Sequence, residues 1–179
     1  MKRISPAVRT KAAKIKLLLL DVDGVLTDGR IVIDDKGVET KHFDAHDGQG
    51  ISPLKHADVD VGFITGRSSK IVQYRARDLR IQIVYQGIRN KADVYNQIKL
   101  TSGLEDDQIA YAGDDINDLP ILKRVGLAIS VKDGWAGLRP CVDYTTEASG
   151  GHGAVREIAE LLLKAQRKWA NLVRGYSRL

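Results

Sequence analysis

Two aspartates two residues apart, Asp21 and Asp23, follow the apolar run Leu17–Leu20 in the segment Asp21-Val22-Asp23-Gly24-Val25-Leu26-Thr27-Asp28. Carboxylates that close repel each other unless a cation stands between them or one keeps its proton. A hard divalent cation with oxygen ligands answers the first way; a raised pKa that makes one partner a proton donor answers the second. Both answers can share one site, with one carboxylate a nucleophile on a metal and the other a general acid. A plainer alternative is a turn whose aspartates cap a helix or face solvent. A second acidic turn, Gly113-Asp114-Asp115-Ile116-Asn117-Asp118, follows another apolar run, Ile109–Ala112. If both runs are strands of one parallel sheet, five carboxylates meet at a single edge. Left ionised without compensation they cost several kcal/mol. Mg2+ relieves that conflict and also neutralises a phosphate. The alternative here is that Asp114 and Asp118 cap the helix that follows.

Two phosphate-binding candidates lie between these turns. Thr65-Gly66-Arg67-Ser68-Ser69 follows an apolar run and opens a helical pattern, so a hydroxyl, a glycine amide and a helix N-terminus coincide. Many strand-to-helix turns contain Gly and Ser, and the loop alone is a weak signal. Lys91 begins the next helical pattern after Gly87-Ile88-Arg89-Asn90, where an ammonium can neutralise a phosphate and steady a nucleophile; elsewhere a lone lysine is a solvated one.

The elements that must position these residues alternate along the chain. Ile15–Val22 reads as a buried strand, and further short apolar runs stand at Val59–Thr65, Ile81–Tyr85, Gln108–Ala112, Gly126–Ile129 and Val142–Thr145. Helical patterns fill about 49–58, 68–79, 91–102, 116–124 and 153–170, the last with Val155, Ile158, Ala159, Leu162 and Leu163 on one face. That order predicts an α/β fold, a Rossmann-like doubly wound parallel sheet with ligands gathered at the carboxyl ends of the strands. Residues 29–44 break the alternation as a β-hairpin, Arg30–Ile33 and Val38–Phe43 joined by Asp34-Asp35-Lys36-Gly37, where a lid belongs. No repeat, low-complexity stretch or linker interrupts residues 1–179, and one domain is expected.

Composition narrows the class. No stretch approaches the roughly 20 apolar residues of a membrane span, and the N-terminus lacks the apolar segment of a secretory signal. Cys141 is the only cysteine, which excludes an internal disulfide and makes the cytoplasm the default. The net charge of +5 hides a division: residues 1–16 and 164–179 carry eleven Lys/Arg and no acid. The remaining 17 bases and 23 acids give residues 17–163 a balance of −6. Basic ends suit nucleic acid, but no binding motif or basic-aromatic interleaving accompanies them, so solvated termini or contacts with an acidic neighbouring subunit are preferred.

The ordered set DVDGVLTDG, TGR, NKAD and GDDINDLP resembles the four motifs of the haloacid dehalogenase superfamily of phosphatases, from about Leu17 to Leu122. The resemblance implies that Asp21 is a nucleophile forming an aspartyl phosphate, and that Asp23 protonates the leaving alcohol and then activates water. It implies a phosphate cradle of Thr65, the Gly66 amide and Lys91. Mg2+ would be held by Asp21, the Asp23 carbonyl and Asp114, with Asp118 and Asp115 as supports. A nearer likeness is to the 3-deoxy-D-manno-octulosonate 8-phosphate phosphatase family, through the hairpin in place of a cap domain, FDAHDGQGI, TGRSS and the tail GGHGAVREIAELLLKAQ. That likeness covers nearly the whole chain. It implies a small acidic sugar phosphate as substrate and a homotetramer whose hairpins pack together, with the segment after Gly150-Gly151 reaching a neighbour's site.

Two positions depart from the family pattern. His46 stands where Arg usually precedes Asp-Gly, and His152 where the tail usually reads Gly-Gly-Arg/Lys-Gly. Both family positions place cations near the substrate's acidic end, so a neutral histidine weakens recognition of a carboxylate; either histidine is alternatively a hydrogen-bonding surface residue. Arg67 keeps the octulosonate-like pattern, whereas relatives acting on nine-carbon acids tend to place an acid after that Gly. The competing readings are a phosphatase for a nine-carbon keto-deoxy sugar phosphate and a phospho-acceptor signalling domain. In the latter an aspartyl phosphate must persist, and Asp23 beside Asp21 argues for turnover instead.

Overall fold

The structure is a computed structural model that describes residues 4–176. Its centre is a six-stranded parallel sheet in the order β5-β4-β1-β6-β7-β8. The strands are β1 (Leu17–Leu20), β4 (Asp60–Ile64), β5 (Ile83–Tyr85), β6 (Ile109–Gly113), β7 (Leu127–Ser130) and β8 (Tyr144–Thr145). The four leucines of β1 are fully buried because the sheet is covered on both faces. Successive strand residues point to opposite sides. Leu18 and Leu20 therefore join the core with Ile51, Leu54, Ile158 and Leu162, while Leu17 and Leu19 join Val94, Tyr95, Tyr111 and Leu122 on the other side. Each such burial contributes about 1.5–3 kcal/mol, which explains why the most apolar run takes the middle of the sheet.

Helices α2 (Ala45–Lys55), α6 (Ala154–Ala165) and α1 (Pro6–Ala12) cover one face, and α4 (Lys91–Ser102) and α5 (Leu119–Leu122) the other. Helix α3 (Lys70–Asp78) links β4 to β5 and sends Val72 and Ala76 into the first core. The chain runs from β1 outward through β4 and β5, then returns to the other side of β1 for β6, β7 and β8. This reversal makes the crevice beside β1 a topological switch point.

Several boundaries differ from the sequence expectation. Helix α1, which periodicity did not suggest, starts on a cap: Ser5 Oγ accepts from the Val8 amide and Pro6 occupies the first turn. The pattern at 153–170 is two helices. Arg167 adopts a left-handed φ of +60°, and the amides of Arg167 and Lys168 return to the carbonyls of Lys164 and Leu163, a Schellman closure after α6. Helix α7 (Trp169–Tyr176) then begins, with Trp169 under the cationic heads of Arg156 and Lys164. The pattern at 116–124 shortens to a 3-10 turn (Ile116–Asp118) and the single turn of α5, because the Asp118 carboxylate takes the Asp114 and Asp115 amides.

The hairpin is present but short. β2 (Val32–Ile33) pairs antiparallel with β3 (Glu39–Thr40), and Gly37 closes the turn at φ +78°. The ladder stops there because Lys41 and Phe43 turn inward, Lys41 toward Asp23 and Phe43 beneath Arg75. Ile31, Val32, Ile33 and Val38 are left exposed, at 45–58%.

The basic ends fold back on the acidic body of their own chain. Lys11 pairs with Asp143 at 2.5 Å, Lys14 with Asp107 at 3.2 Å and Lys168 with Asp58 at 3.7 Å. These three lysines thus find acidic partners within their own chain. Lys2, Arg3 and Arg178 lie outside the described residues.

Candidate active site

Strand register sets the site. Leu20 pairs with Ala112 on one side and Phe63 on the other, so Asp21 is level with Gly113 and Ile64 at the carboxyl edge of the sheet. The residues that follow each strand, Asp21, Asp114 and Thr65, leave the edge side by side. The Asp21 amide still donates to the Ala112 carbonyl at 3.0 Å, which holds the turn against β6.

Asp21, Asp114 and Asp118 each place a carboxylate oxygen within 4.8 Å of the others. Lys91, the first residue of α4, enters this group from the side. Its Nζ stands 3.0 Å from Asp21 Oδ2 and 2.6 Å from Asp118 Oδ1, and its side chain is closed to solvent. Tyr111 on β6 donates to Asp118 Oδ1 at 2.6 Å. Asp118 Oδ2 accepts the amides of Asp114 and Asp115 at 2.8 and 3.2 Å. Both oxygens of Asp118 are therefore occupied, and its work is to hold Lys91 and shape the acidic turn.

Asp114 is different. Its half-buried carboxylate accepts no hydrogen bond among the described residues. A Cβ on Gly24 would fall 2.1 Å from Asp114 Oδ2, and Gly24 has φ +91°, so only glycine admits this approach. Burial, then Asp21 and Asp118, push the Asp114 carboxyl up to about 8. Burial also raises Asp21 to about 6, against the pull of Lys91. For Lys91 burial acts downward, but Asp21 and Asp118 outweigh it and hold the ammonium up. Three carboxylates against one ammonium leave a deficit of two positive charges, which one divalent cation closes. Among the described residues, Asp114 is unengaged and Asp21 is shared with Lys91 and the Val22 amide, so both offer the hard oxygens such an ion takes. The residues fit Mg2+.

The convergence is narrower than five carboxylates. Asp115 is exposed and spends its side chain on the Ile116 amide at 2.7 Å, as a cap. Asp23 turns its carboxylate away from the cluster into an ion-pair group with Lys41, Glu39 and Arg67. Arg67 Nη2 reaches Glu39 Oε1 at 2.9 Å. Buried Thr65 lies at the end of β4, and its Oγ1 accepts the Arg67 amide at 3.3 Å; Gly66 is exposed beside it. The Gly87 amide donates to the Arg67 carbonyl, which ties this loop to the segment leading into Lys91.

His46 is not brought into this group. It is exposed on the first turn of α2, and Asp44 is its partner through both Nδ1 and the backbone amide. His152 is exposed in the loop 149–153, whose Gly151 amide donates to the Val25 carbonyl. Tyr111, Glu39 and Lys41 were missed by sequence reasoning. Glu39 and Lys41 had a signal: opposite charges two residues apart in a strand pattern share one face. Tyr111 had none, since a tyrosine within an apolar strand reads as core.

The profile of the haloacid dehalogenase-like hydrolases matches residues 80–158. The chain is 44% identical over 165 residues to 3-deoxy-D-manno-octulosonate 8-phosphate phosphatase KdsC of Salmonella typhimurium, covering 92% of this chain and 88% of that protein. The structure of the corresponding phosphatase from Yersinia pestis superposes with a TM-score of 0.91 at 42% identity, over 92% of this chain and 89% of that one. The Moraxella catarrhalis phosphatase, solved with a magnesium ion, a phosphate ion and a KDO molecule, gives a TM-score of 0.92 at 40% identity, over 94% and 97%.

Proposed function

The chain belongs to the 3-deoxy-D-manno-octulosonate 8-phosphate phosphatase family of haloacid dehalogenase-like hydrolases, and from that membership we propose that it hydrolyses 3-deoxy-D-manno-octulosonate 8-phosphate to the free sugar acid and phosphate, using Mg2+. One observation carries the reading at the level of chemistry. A cation-seeking carboxylate group with a buried lysine stands at the sheet edge, and a second carboxylate, Asp23, is held apart from it.

The residues divide the work as follows. A carboxylate oxygen of Asp21 attacks phosphorus, and the bond from phosphorus to the sugar oxygen breaks. Asp23 gives its proton to the departing alcohol, then takes one from the water that attacks the aspartyl phosphate, so that inorganic phosphate leaves and Asp21 is restored. Thr65, the Gly66 amide and Lys91 receive the phosphoryl oxygens, and in-line positioning with charge stabilisation supplies most of the acceleration. Asp21, the Asp23 carbonyl and Asp114 hold Mg2+, which when bound offsets phosphoryl charge. Asp118 fixes Lys91, and Asp115 shapes the turn. Arg67 belongs to recognition of the sugar acid, whereas His46, turned to Asp44, is left out of that role within the protomer.

The working unit of this reading is a cytoplasmic homotetramer built on residues 1–179 as one catalytic domain. Four exposed apolar residues on the hairpin support assembly, since a two-stranded ribbon is marginal alone. No helix among the described residues is long and apolar enough to cross a membrane. Phosphate release from a panel of sugar phosphates, with Mg2+ and with EDTA, tests the proposal. Activity concentrated on the octulosonate ester and abolished by EDTA is expected; an even profile across the panel overturns the substrate.

A further inference from the structure

The hairpin supplies a lysine to the acid–base carboxylate. Lys41 follows β3 directly, and its side chain is 1% exposed, although the strands before it are open to solvent. Its Nζ pairs with Asp23 Oδ1 and stands 3.4 Å from Glu39 Oε1. Asp23 Oδ2 is buried and accepts no hydrogen bond among the described residues. The guanidinium on that side is Arg67, whose Nε is 3.9 Å away, beyond hydrogen-bond reach. The two cations also differ in freedom: the Arg67 side chain is 48% exposed, whereas Lys41 is enclosed. Asp23 thus has one oxygen fixed by an immobile partner and the other covered by a movable one.

We propose that Lys41 is a positioning residue for the acid–base step: it pins Asp23 Oδ1 to the base of the hairpin, so that Oδ2 is the oxygen turned to the leaving alcohol once Arg67 swings toward substrate. This rests on the reading of Asp23 as the proton donor. A charge-assisted contact to a buried ammonium is strong and directional enough to fix one carboxylate rotamer. Because Lys41 sits one residue beyond β3, order in the hairpin is passed straight to Asp23.

Leaving-group dependence tests the idea. A sugar alcohol leaves as a strongly basic alkoxide unless it is protonated, while a nitrophenolate needs no proton. Comparing kcat/KM for 3-deoxy-D-manno-octulosonate 8-phosphate and p-nitrophenyl phosphate isolates the phosphorylation step. D23N serves as reference: a loss concentrated on the sugar ester upholds Asp23 as donor, and an equal loss on both esters overturns that reading itself. K41M is expected to lose about tenfold on the sugar ester, less than the roughly 10²–10⁴-fold that general acid catalysis supplies because the donor itself remains, and less than about threefold on the aryl ester. K41R should recover most of the difference. Equal losses on the two esters in K41M, or none, with D23N behaving as a donor mutant, overturn the role of Lys41. If K41M does not fold, K41Q, whose amide can still donate to Asp23 Oδ1, carries the comparison with an intermediate ratio expected and an unchanged ratio overturning it.

Discussion

Lys91 Nζ lies 2.6 Å from Asp118 Oδ1, with both side chains sealed from solvent. The pair sits between the second acidic turn and the first helix turn of α4, and Lys91 also reaches Asp21 at 3.0 Å. One lysine therefore bridges two carboxylates from the turns after β1 and β6, so the fold and the candidate catalytic group share a single cation.

Removing that cation is costly. Lys91→Met leaves Asp21 and Asp118 buried without their cation, and breaking a buried ion pair on one side costs about 3–5 kcal/mol. Chemical denaturation of the metal-free protein should show a loss of that size, with phosphate release abolished. Unchanged stability would mean that Asp118 carries no charge in the fold.

The two leading carboxylates separate by their mutants. Asp21→Asn keeps the volume and removes the nucleophile, so hydrolysis falls below detection. Asp23→Asn is expected to slow turnover by about 10²–10⁴-fold, the range of general acid–base catalysis. Assays of phosphate release at saturating substrate measure both, and wild-type rates in either would remove that residue from the mechanism.

Acidity offers a third check. Asp114 rises from 3.8 to about 8 and Asp21 from 3.8 to about 6 in the metal-free fold, burial being the largest cause for each. The native state then binds more protons than the unfolded state between about pH 4 and 8. Stability from these groups is full below the unfolded value and is lost as pH rises through the folded ones. The melting temperature of the metal-free protein should accordingly fall from pH 5 to pH 8. Mg2+ binds the ionised carboxylates, so its stabilising shift should be larger at pH 8 than at pH 5. An equal shift at both would place the ion elsewhere.

Assembly is tested on the hairpin. Ile33 is 56% exposed in a two-pair ribbon. Ile33→Asp should change the protomer's own unfolding free energy by no more than about 0.5 kcal/mol, as a surface change does, while sedimentation shows dissociation and turnover drops. A full-size assembly with normal turnover would detach the hairpin from the interface.

Much of this arrangement was readable in the residues. Leu17–Leu20 could be read as a fully buried strand because four consecutive apolar side chains have to be covered on two faces. The acidic turns after β1 and β6 could be put at one edge because parallel strands end together. Helix ends were less readable: α6 stops at a left-handed Arg167, a position that carries no glycine to announce it.

By itself, the sequence determined the alternation of strands and helices, the hairpin at 29–44, and which acidic turns and which lysine could meet. Those follow from local rules, the burial of apolar runs and the spacing of polar residues. Only the tertiary structure decided how the carboxylates divide. Asp118 is saturated by Lys91, Tyr111 and two amides, Asp114 is left open beside Gly24, and Asp23 is drawn to Lys41. A carboxylate's role depends on which donors and charges surround it in space, and the two lysines that decide it here, Lys41 for Asp23 and Lys91 for Asp118, stand 18 and 27 positions away along the chain.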